Sequence, residues 1–191
     1  DSLNPSNPYG ETKVQSENII SNYCEKENLR AISFRYFNAA GAHPSGTIGE
    51  KHEPETHLIP NLIKSIINNQ YNFELYGGID NPTRDGTCVR DYVHVSDIVN
   101  AHYLGMKKIQ NLKPYNVFNI GSGKGYSIME VMKGVESVTN KKIDYTPSKD
   151  RKNEPAHLVA DISKIKNQLE WSVEYNTIES IIETAWNWHT K

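Results

Sequence analysis

The chain has 191 residues, enough for one ordinary domain, and its 37% hydrophobic and 23% charged side chains are a soluble, globular mixture. Its 21 Lys and Arg nearly balance 23 Asp and Glu, so no basic run points to nucleic acid and no acidic tail to disorder. No apolar run reaches bilayer length, no signal-peptide pattern opens the chain, and two cysteines, Cys24 and Cys88, make no disulfide framework, so a reduced, cytoplasmic setting is expected.

In chain order, Asn7-Pro8 reads as an N-cap followed by proline at the first helical position, and predicts a helix from Pro8 to about Asn28. Ile19, Ile20, Tyr23 and Cys24 share one face of it. Arg30 to Asn38 (RAISFRYFN) is a predicted strand, followed by a loop rich in Gly, Pro and His. Leu58 to Ile67 is a predicted helix, FELYG a short strand, and Cys88 to Val95 another strand. The last runs into a helix begun by Ser96 or Asp97, which is expected to bury Ile98, Val99, His102, Met106 and Ile109. Tyr115 to Gly121 is a further strand. Ser127 and Glu130 form a capping box ahead of an apolar stripe of Ile128, Val131, Met132 and Val135. KIDYT is a short strand, and Asp161 caps a short helix over DISKIKNQL. A final helix follows Asn176 and Glu179, read as a second capping box, with Ile178, Ile181, Ile182 and Ala185 inside. Strands alternate with helices throughout, which makes the class α/β.

Asn119 to Ser127 (NIGSGKGYS) imitates a dinucleotide loop. Its glycines at 121, 123 and 125 miss the G-x-G-x-x-G spacing that brings backbone amides to a pyrophosphate. It is read as a tight strand-to-helix turn.

Tyr9 and Lys13, at i and i+4, project from one helix face. A free phenol titrates near pH ~10 and a neighbouring ammonium favours its phenolate, so such a pair can take a proton from an alcohol while hydride leaves the carbon. The bare Y-x-x-x-K pattern is common, and a surface Tyr over a Lys stem satisfies it as well. The flanks separate the two readings. PYGETK is followed in order by RYFNAAGAHPSG, ETHLIP, LYGG, DGTCVRDYVHVSD and NIGSGKGYSI. That set resembles the nucleotide-sugar epimerase branch of the extended short-chain dehydrogenase/reductases, the NAD-dependent epimerase/dehydratase family, from Ser6 to the final helix.

The resemblance implies the end of an NAD-binding Rossmann-like domain over residues 1–40. Residues 41–191 would be mainly a smaller α/β UDP-sugar-binding domain, with some segments returning to the Rossmann-like sheet. It implies interconversion of UDP-glucose and UDP-galactose at C4 through a 4-keto intermediate with tightly bound NAD, and a homodimer. Other nucleotide-sugar epimerases, a 4,6-dehydratase, or a non-catalytic UDP-sugar-binding module are the alternatives. In the family the glycine-rich loop, the ribose-binding acid and a catalytic Ser or Thr precede the Tyr. The chain is therefore expected to be a C-terminal portion, inactive by itself, that exposes the strand Arg30 to Asn38, whose parallel neighbours would lie in the missing sheet, a setup for aggregation.

Carried over residue by residue, Tyr9 would be the acid/base and Lys13 its partner at the nicotinamide ribose. Phe37 would lie near cofactor and sugar, and Asn38 on the nucleotide sugar. His57 and Leu58 would face the UDP at a helix N-terminus. Leu75 and Tyr76 would lie along the uracil, Arg90 and Arg151 on the pyrophosphate, and Glu154 on the uridine ribose. The family commonly has Arg-Arg-x-Gly-Asp where this chain has Asp150-Arg151-Lys152-Asn153-Glu154, so Glu154 reaches one methylene further. The competing reading of Arg90 is an ion pair with an acid such as Asp85. His94 and His102 are assigned to packing or hydrogen bonding, and Trp171, Trp186 and Trp188 to core or interface anchoring. His57 is not read as a metal ligand, and no metal site is expected from the spacing of His, Cys and Asp.

Overall fold

A computed structural model of the chain describes residues 3, 5, 7–70, 72–75, 79–148 and 155–191. Asn7 opens helix α1 (Pro8–Lys26), its side chain accepting the Gly10 amide at 2.8 Å. Then come β1 (Ala31–Tyr36), β2 (Asn38–Ala40), α2 (Leu58–Ile67), β3 (Asn72–Leu75), β4 (Val89–His94) and α3 (Val95–Lys108). The second half runs β5 (Tyr115–Ile120), β6 (Gly125–Ser127), α4 (Ile128–Thr139), β7 (Asp144–Pro147), β8 (His157–Leu158), α5 (Ser163–Leu169) and α6 (Ile178–His189).

The predicted strand Arg30 to Asn38 is two strands with different partners. β1 pairs in parallel with β5, from Ala31 opposite Tyr115 to Tyr36 opposite Ile120. The Phe37 amide makes the last bond of that ladder, to the Ile120 carbonyl at 3.0 Å. The chain then transfers to β4, with Asn38 opposite Tyr92. β1 therefore has a parallel neighbour within the chain. β4 also pairs antiparallel with β6 and parallel with β8, and β3 pairs with β7.

Two apolar clusters flank β4. Leu62, Ile63 and Ile66 of α2 pack with Val131, Met132 and Val135 of α4 and Ile178, Ile181, Ile182 and Ala185 of α6. Phe118 and Ile120 of β5 pack with Ile98 and Ala101 of α3, Ile165 and Leu169 of α5, and Trp171. Side chains alternate along a strand, so adjacent residues of β4 serve both clusters, Tyr92 the first and Val93 the second.

Buried Asp91 fastens this arrangement. Its carboxylate accepts the Ser122 amide at 2.6 Å, the Ser122 hydroxyl at 2.7 Å, the Gly123 amide at 3.0 Å and the Ala160 amide at 3.1 Å. The turn after β5 thus gives its amides to an internal carboxylate, and it leads into the short strand β6, where the sequence reading expected a direct passage into a helix.

Several local expectations are corrected. α1 ends at Lys26, and of its apolar face only Cys24 is buried. α3 starts at Val95, capped by the His94 ring accepting the Ser96 amide at 3.0 Å. α3 buries Asp97, Ile98, Ala101 and Gly105, while Val99, His102 and Met106 are exposed and Ile109 falls just past the helix, half-buried. Its inner face is set by contacts that periodicity does not register. The Asp97 carboxylate accepts the Glu174 and Tyr175 amides, and Gly105 lets Phe34 approach so closely that a Cβ would lie 2.8 Å from its ring. α6 is capped by Thr177 accepting the Ser180 amide, in place of the expected box of Asn176 and Glu179. Asp161 accepts the Ser163 amide, but the cap position of α5 is Ile162. The capping box of Ser127 and Glu130 forms as read.

Candidate ligand cavity

A cavity of about 500 Å³ opens at the carboxyl end of β1. There the chain leaves β5 for β4, and ligands of parallel sheets gather at such ends. A second depression, lined by Lys113, Tyr115, Asn116 and Lys164, lies at the opposite, amino end of β5.

Tyr9, on the first turn of α1, is 70% exposed and forms one wall. The Lys13 ammonium sits over its ring, 5.0 Å from the centroid. Tyr36, Phe37, Asn38 and Gly41 form the floor where β1 passes into β2. His57, Leu58 and Ile59 bring the start of α2 to the same space. Pro60 has no amide and no acid occupies the first turn of α2, so the Leu58 and Ile59 amides lie at the positive end of the helix. Trp188 and His189, from the end of α6, complete the opposite side.

The walls are held from behind. The Trp188 indole donates to the Glu50 carbonyl at 2.9 Å, tying α6 to the 41–57 loop. The Glu55 carboxylate accepts the Thr56 amide at 2.9 Å and the His57 amide at 3.0 Å, and pairs with Lys64 at 3.3 Å. Burial pushes the Glu55 carboxyl up, but these donors prevail and hold it below the usual carboxylate range. Tyr36 donates its hydroxyl to His102 Nε2 at 2.6 Å, since His102 Nδ1 faces the Ile98 carbonyl and carries the ring proton there. Burial raises the Tyr36 phenol, raises Tyr92 to about 12, and lowers His189.

Of the residues singled out from sequence, Tyr9, Phe37, Asn38, His57 and Leu58 meet on this cavity, with Lys13 on the ring of Tyr9. Two others lie elsewhere. The Leu75 side chain is fully buried in the first cluster, and its carbonyl accepts the Ser148 amide. Arg90 donates to the Val89 and Pro155 carbonyls; Asp85 instead accepts from Thr87 and Ser127, and Arg84 pairs with Glu130. Tyr76, Arg151 and Glu154 lie outside the described residues. The sequence reading missed Tyr36, Glu50, Trp188 and His189. Tyr36 stood beside Phe37 in the same motif, whereas Trp188 and His189 are brought in by α6 with no local signal. His94, His102 and Trp171 are packed and hydrogen-bonded, as assigned.

The spacing of His, Cys and Asp did not single out one group that the folded loop brings together. Glu50, His52, Glu55 and His57 fold together with candidate ligand atoms within 4.8 Å of one another.

An α/β chain that brings Tyr, Lys and a helix N-terminus to the carboxyl end of parallel strands has its cavity where such folds gather nucleotide ligands. The chain is a member of the NAD dependent epimerase/dehydratase family, whose model matches residues 1–121. UDP-glucose 4-epimerase of Lactobacillus helveticus is 43% identical over 187 residues, covering 98% of this chain and 56% of that protein. A crystal structure of a UDP-glucose 4-epimerase superposes with a TM-score of 0.91 at 45% identity, over 98% of this chain and 56% of that one. The Bifidobacterium longum enzyme, crystallised with NAD+ and UDP, gives 0.87 at 34% identity, over 96% and 55%. The chain thus spans about half the length of the curated relatives it matches. No helix among the described residues is long and apolar enough to cross a membrane.

Proposed function

We propose that the protein carrying this chain interconverts UDP-glucose and UDP-galactose at C4 of the sugar, through a 4-keto intermediate and with NAD. The observation that carries this reading is Tyr9, stacked under Lys13, on the wall of a cavity that also receives the N-terminus of α2.

Tyr9 and Lys13 fit the reacting end of NAD: Tyr9 is exposed on the cavity wall and the Lys13 ammonium lies 5.0 Å from the centroid of its ring. Bound there, NAD supplies a reversible hydride acceptor. Tyr9 takes the proton of the sugar 4-hydroxyl and returns it after the keto sugar has turned its other face. Lys13 sets positive charge against the ring of Tyr9 and binds the nicotinamide ribose. Phe37 covers the sugar side of the cofactor and Asn38 hydrogen-bonds the sugar. Leu58 and His57 bring the positive end of α2 to the diphosphate. Arg90 and Arg151 are assigned to the pyrophosphate, Tyr76 and the backbone of Leu75 to the uracil, and Glu154 to the ribose of UDP.

Residues 1–40 are proposed to complete a Rossmann-like sheet and 41–191 mainly to hold the UDP-sugar. The packing of β5, α3 and α5 against β1 supports the return of later segments to that sheet. The exposed Ile19, Ile20 and Tyr23 on α1 support a homodimer through that helix, and two free, buried cysteines suit the cytoplasm.

The test is UDP-galactose turnover by protein expressed from its complete reading frame. Tyr9→Phe is expected to lower kcat at least about 100-fold while leaving UDP affinity within twofold. Turnover at the unsubstituted rate would remove Tyr9 from the chemistry. UDP binding without any turnover by the unsubstituted protein would leave only a binding module.

A further inference from the structure

We propose that Glu50, His52, Glu55 and His57 form a binding site for a divalent transition-metal ion of the zinc type, at the rim of the cavity. Their candidate ligand atoms lie within 4.8 Å of one another. His57 Nδ1 already faces two carboxylate oxygens, of Glu50 at 2.6 Å and Glu55 at 3.3 Å. A neutral imidazole has at most one hydrogen on that nitrogen, so it cannot donate fully to both, whereas a cation engages all three groups. The rings of His52 and His57 are 5.1 Å apart, and the His52 nitrogens have no hydrogen-bond partner among the described residues.

Glu55 is the fixed ligand. Two backbone amides and Lys64 hold its carboxylate, and its side chain is 5% exposed. Such outer partners orient a ligand before the metal arrives. The other three are the movable ones. Tetrahedral zinc with bonds of about 2.0–2.1 Å sets its ligands roughly 3.3 Å apart, so pairs now up to 4.8 Å apart must close by as much as about 1.5 Å and the 2.6 Å contact of Glu50 with His57 must open, both by side-chain rotation. Charge agrees: two carboxylates against the Lys64 ammonium leave about one negative charge beside two neutral imidazoles, which a dication overcompensates modestly. Two imidazoles with two carboxylates select zinc, cobalt or nickel over magnesium and calcium, which take oxygen ligands. All four residues lie between Gly49 and Leu58, so a bound ion fastens the loop to the residue that caps α2, His57. The inference stands on these side chains and does not depend on the proposed epimerase reaction.

The experiment is titration of protein expressed from its complete reading frame with Co2+, read as visible d–d absorption, followed by displacement with Zn2+. One equivalent is expected, with an intense tetrahedral band that Zn2+ removes and millimolar Mg2+ does not. His52→Ala together with His57→Ala is expected to weaken binding at least about 100-fold, at ~10-fold or more per ligand, while His43→Ala leaves it unchanged. A readout on unsubstituted protein guards against misfolding of the variant: one equivalent of Zn2+ is expected to protect His52 and His57 from acylation by diethyl pyrocarbonate, by at least about tenfold in rate, while His43 stays reactive. No saturable binding, displacement by Mg2+, binding that survives the double substitution, or failure to protect both histidines would each overturn the site.

Discussion

Acid is expected to destabilise the fold through His94. The ring is fully buried and stacks on Tyr175 with centroids 3.6 Å apart. The hydroxyl of Thr184 gives its single hydrogen to the Ile181 carbonyl, so it must accept from His94 Nε2 at 2.9 Å, as it does from the Ala42 amide at 3.1 Å. Nδ1 is then the acceptor for the Ser96 amide that caps α3. A second proton would go on Nδ1, against that N–H. Burial lowers the folded pKa from 6.5 to about 4. The folded state therefore resists a proton that the unfolded chain accepts. Its contribution is fully present above pH 6.5 and is lost as pH falls toward about 4. At ~1.36 kcal/mol per pH unit the whole effect is about 3 kcal/mol, of which about 2 kcal/mol is lost by pH 5. Urea unfolding at pH 7.5 and 5.0 measures it, with His94→Asn as the comparison, since Asn still offers an oxygen to the Ser96 amide but does not titrate. His189, also lowered by burial, acts with the same sign in both proteins and cancels in the difference. The unsubstituted chain is expected to lose about 2 kcal/mol more than the variant between these pH values. Equal losses would refute the argument.

Asp91→Ala leaves four donors near β4 without their acceptor, and a cost of at least about 3 kcal/mol is expected from the urea midpoint, at ~1 kcal/mol or more per stranded group. Leu62→Ala opens a void where α2 meets α4 and α6, with an expected loss of about 2–5 kcal/mol by the same assay. Gly86 has φ of +79°, and a Cβ there would lie 1.8 Å from the Ile79 carbonyl oxygen. Gly86→Ala is expected to lower the thermal midpoint by several degrees, the equivalent of about 1 kcal/mol or more.

Much of the architecture was legible because it is local. Asn7-Pro8, the box of Ser127 and Glu130, and the stripe Ile178, Ile181, Ile182 and Ala185 each state their structure within one or two turns of chain. α3 was misread because its inner face holds Asp97 and Gly105, whose reasons for burial come from the segment 171–175 and from Phe34. The strand from Arg30 to Asn38 looked continuous because an exchange of partners at Phe37 leaves no mark on side-chain pattern.

The sequence by itself determined the class, the helix starts signalled by short-range caps, and the Tyr9–Lys13 pair, since i and i+4 spacing on one helix is a local relation. It also carried the ordered motifs through which the family is recognised. Only the tertiary structure decided which motifs share a cavity, that Leu75 points into the core, and that Trp188 and His189 close the wall. The same holds for Glu50, His52, Glu55 and His57, which become neighbours only when the loop before α2 folds back on itself. Proximity of that kind is set by backbone path and packing between distant segments, and residue spacing along the chain does not encode it.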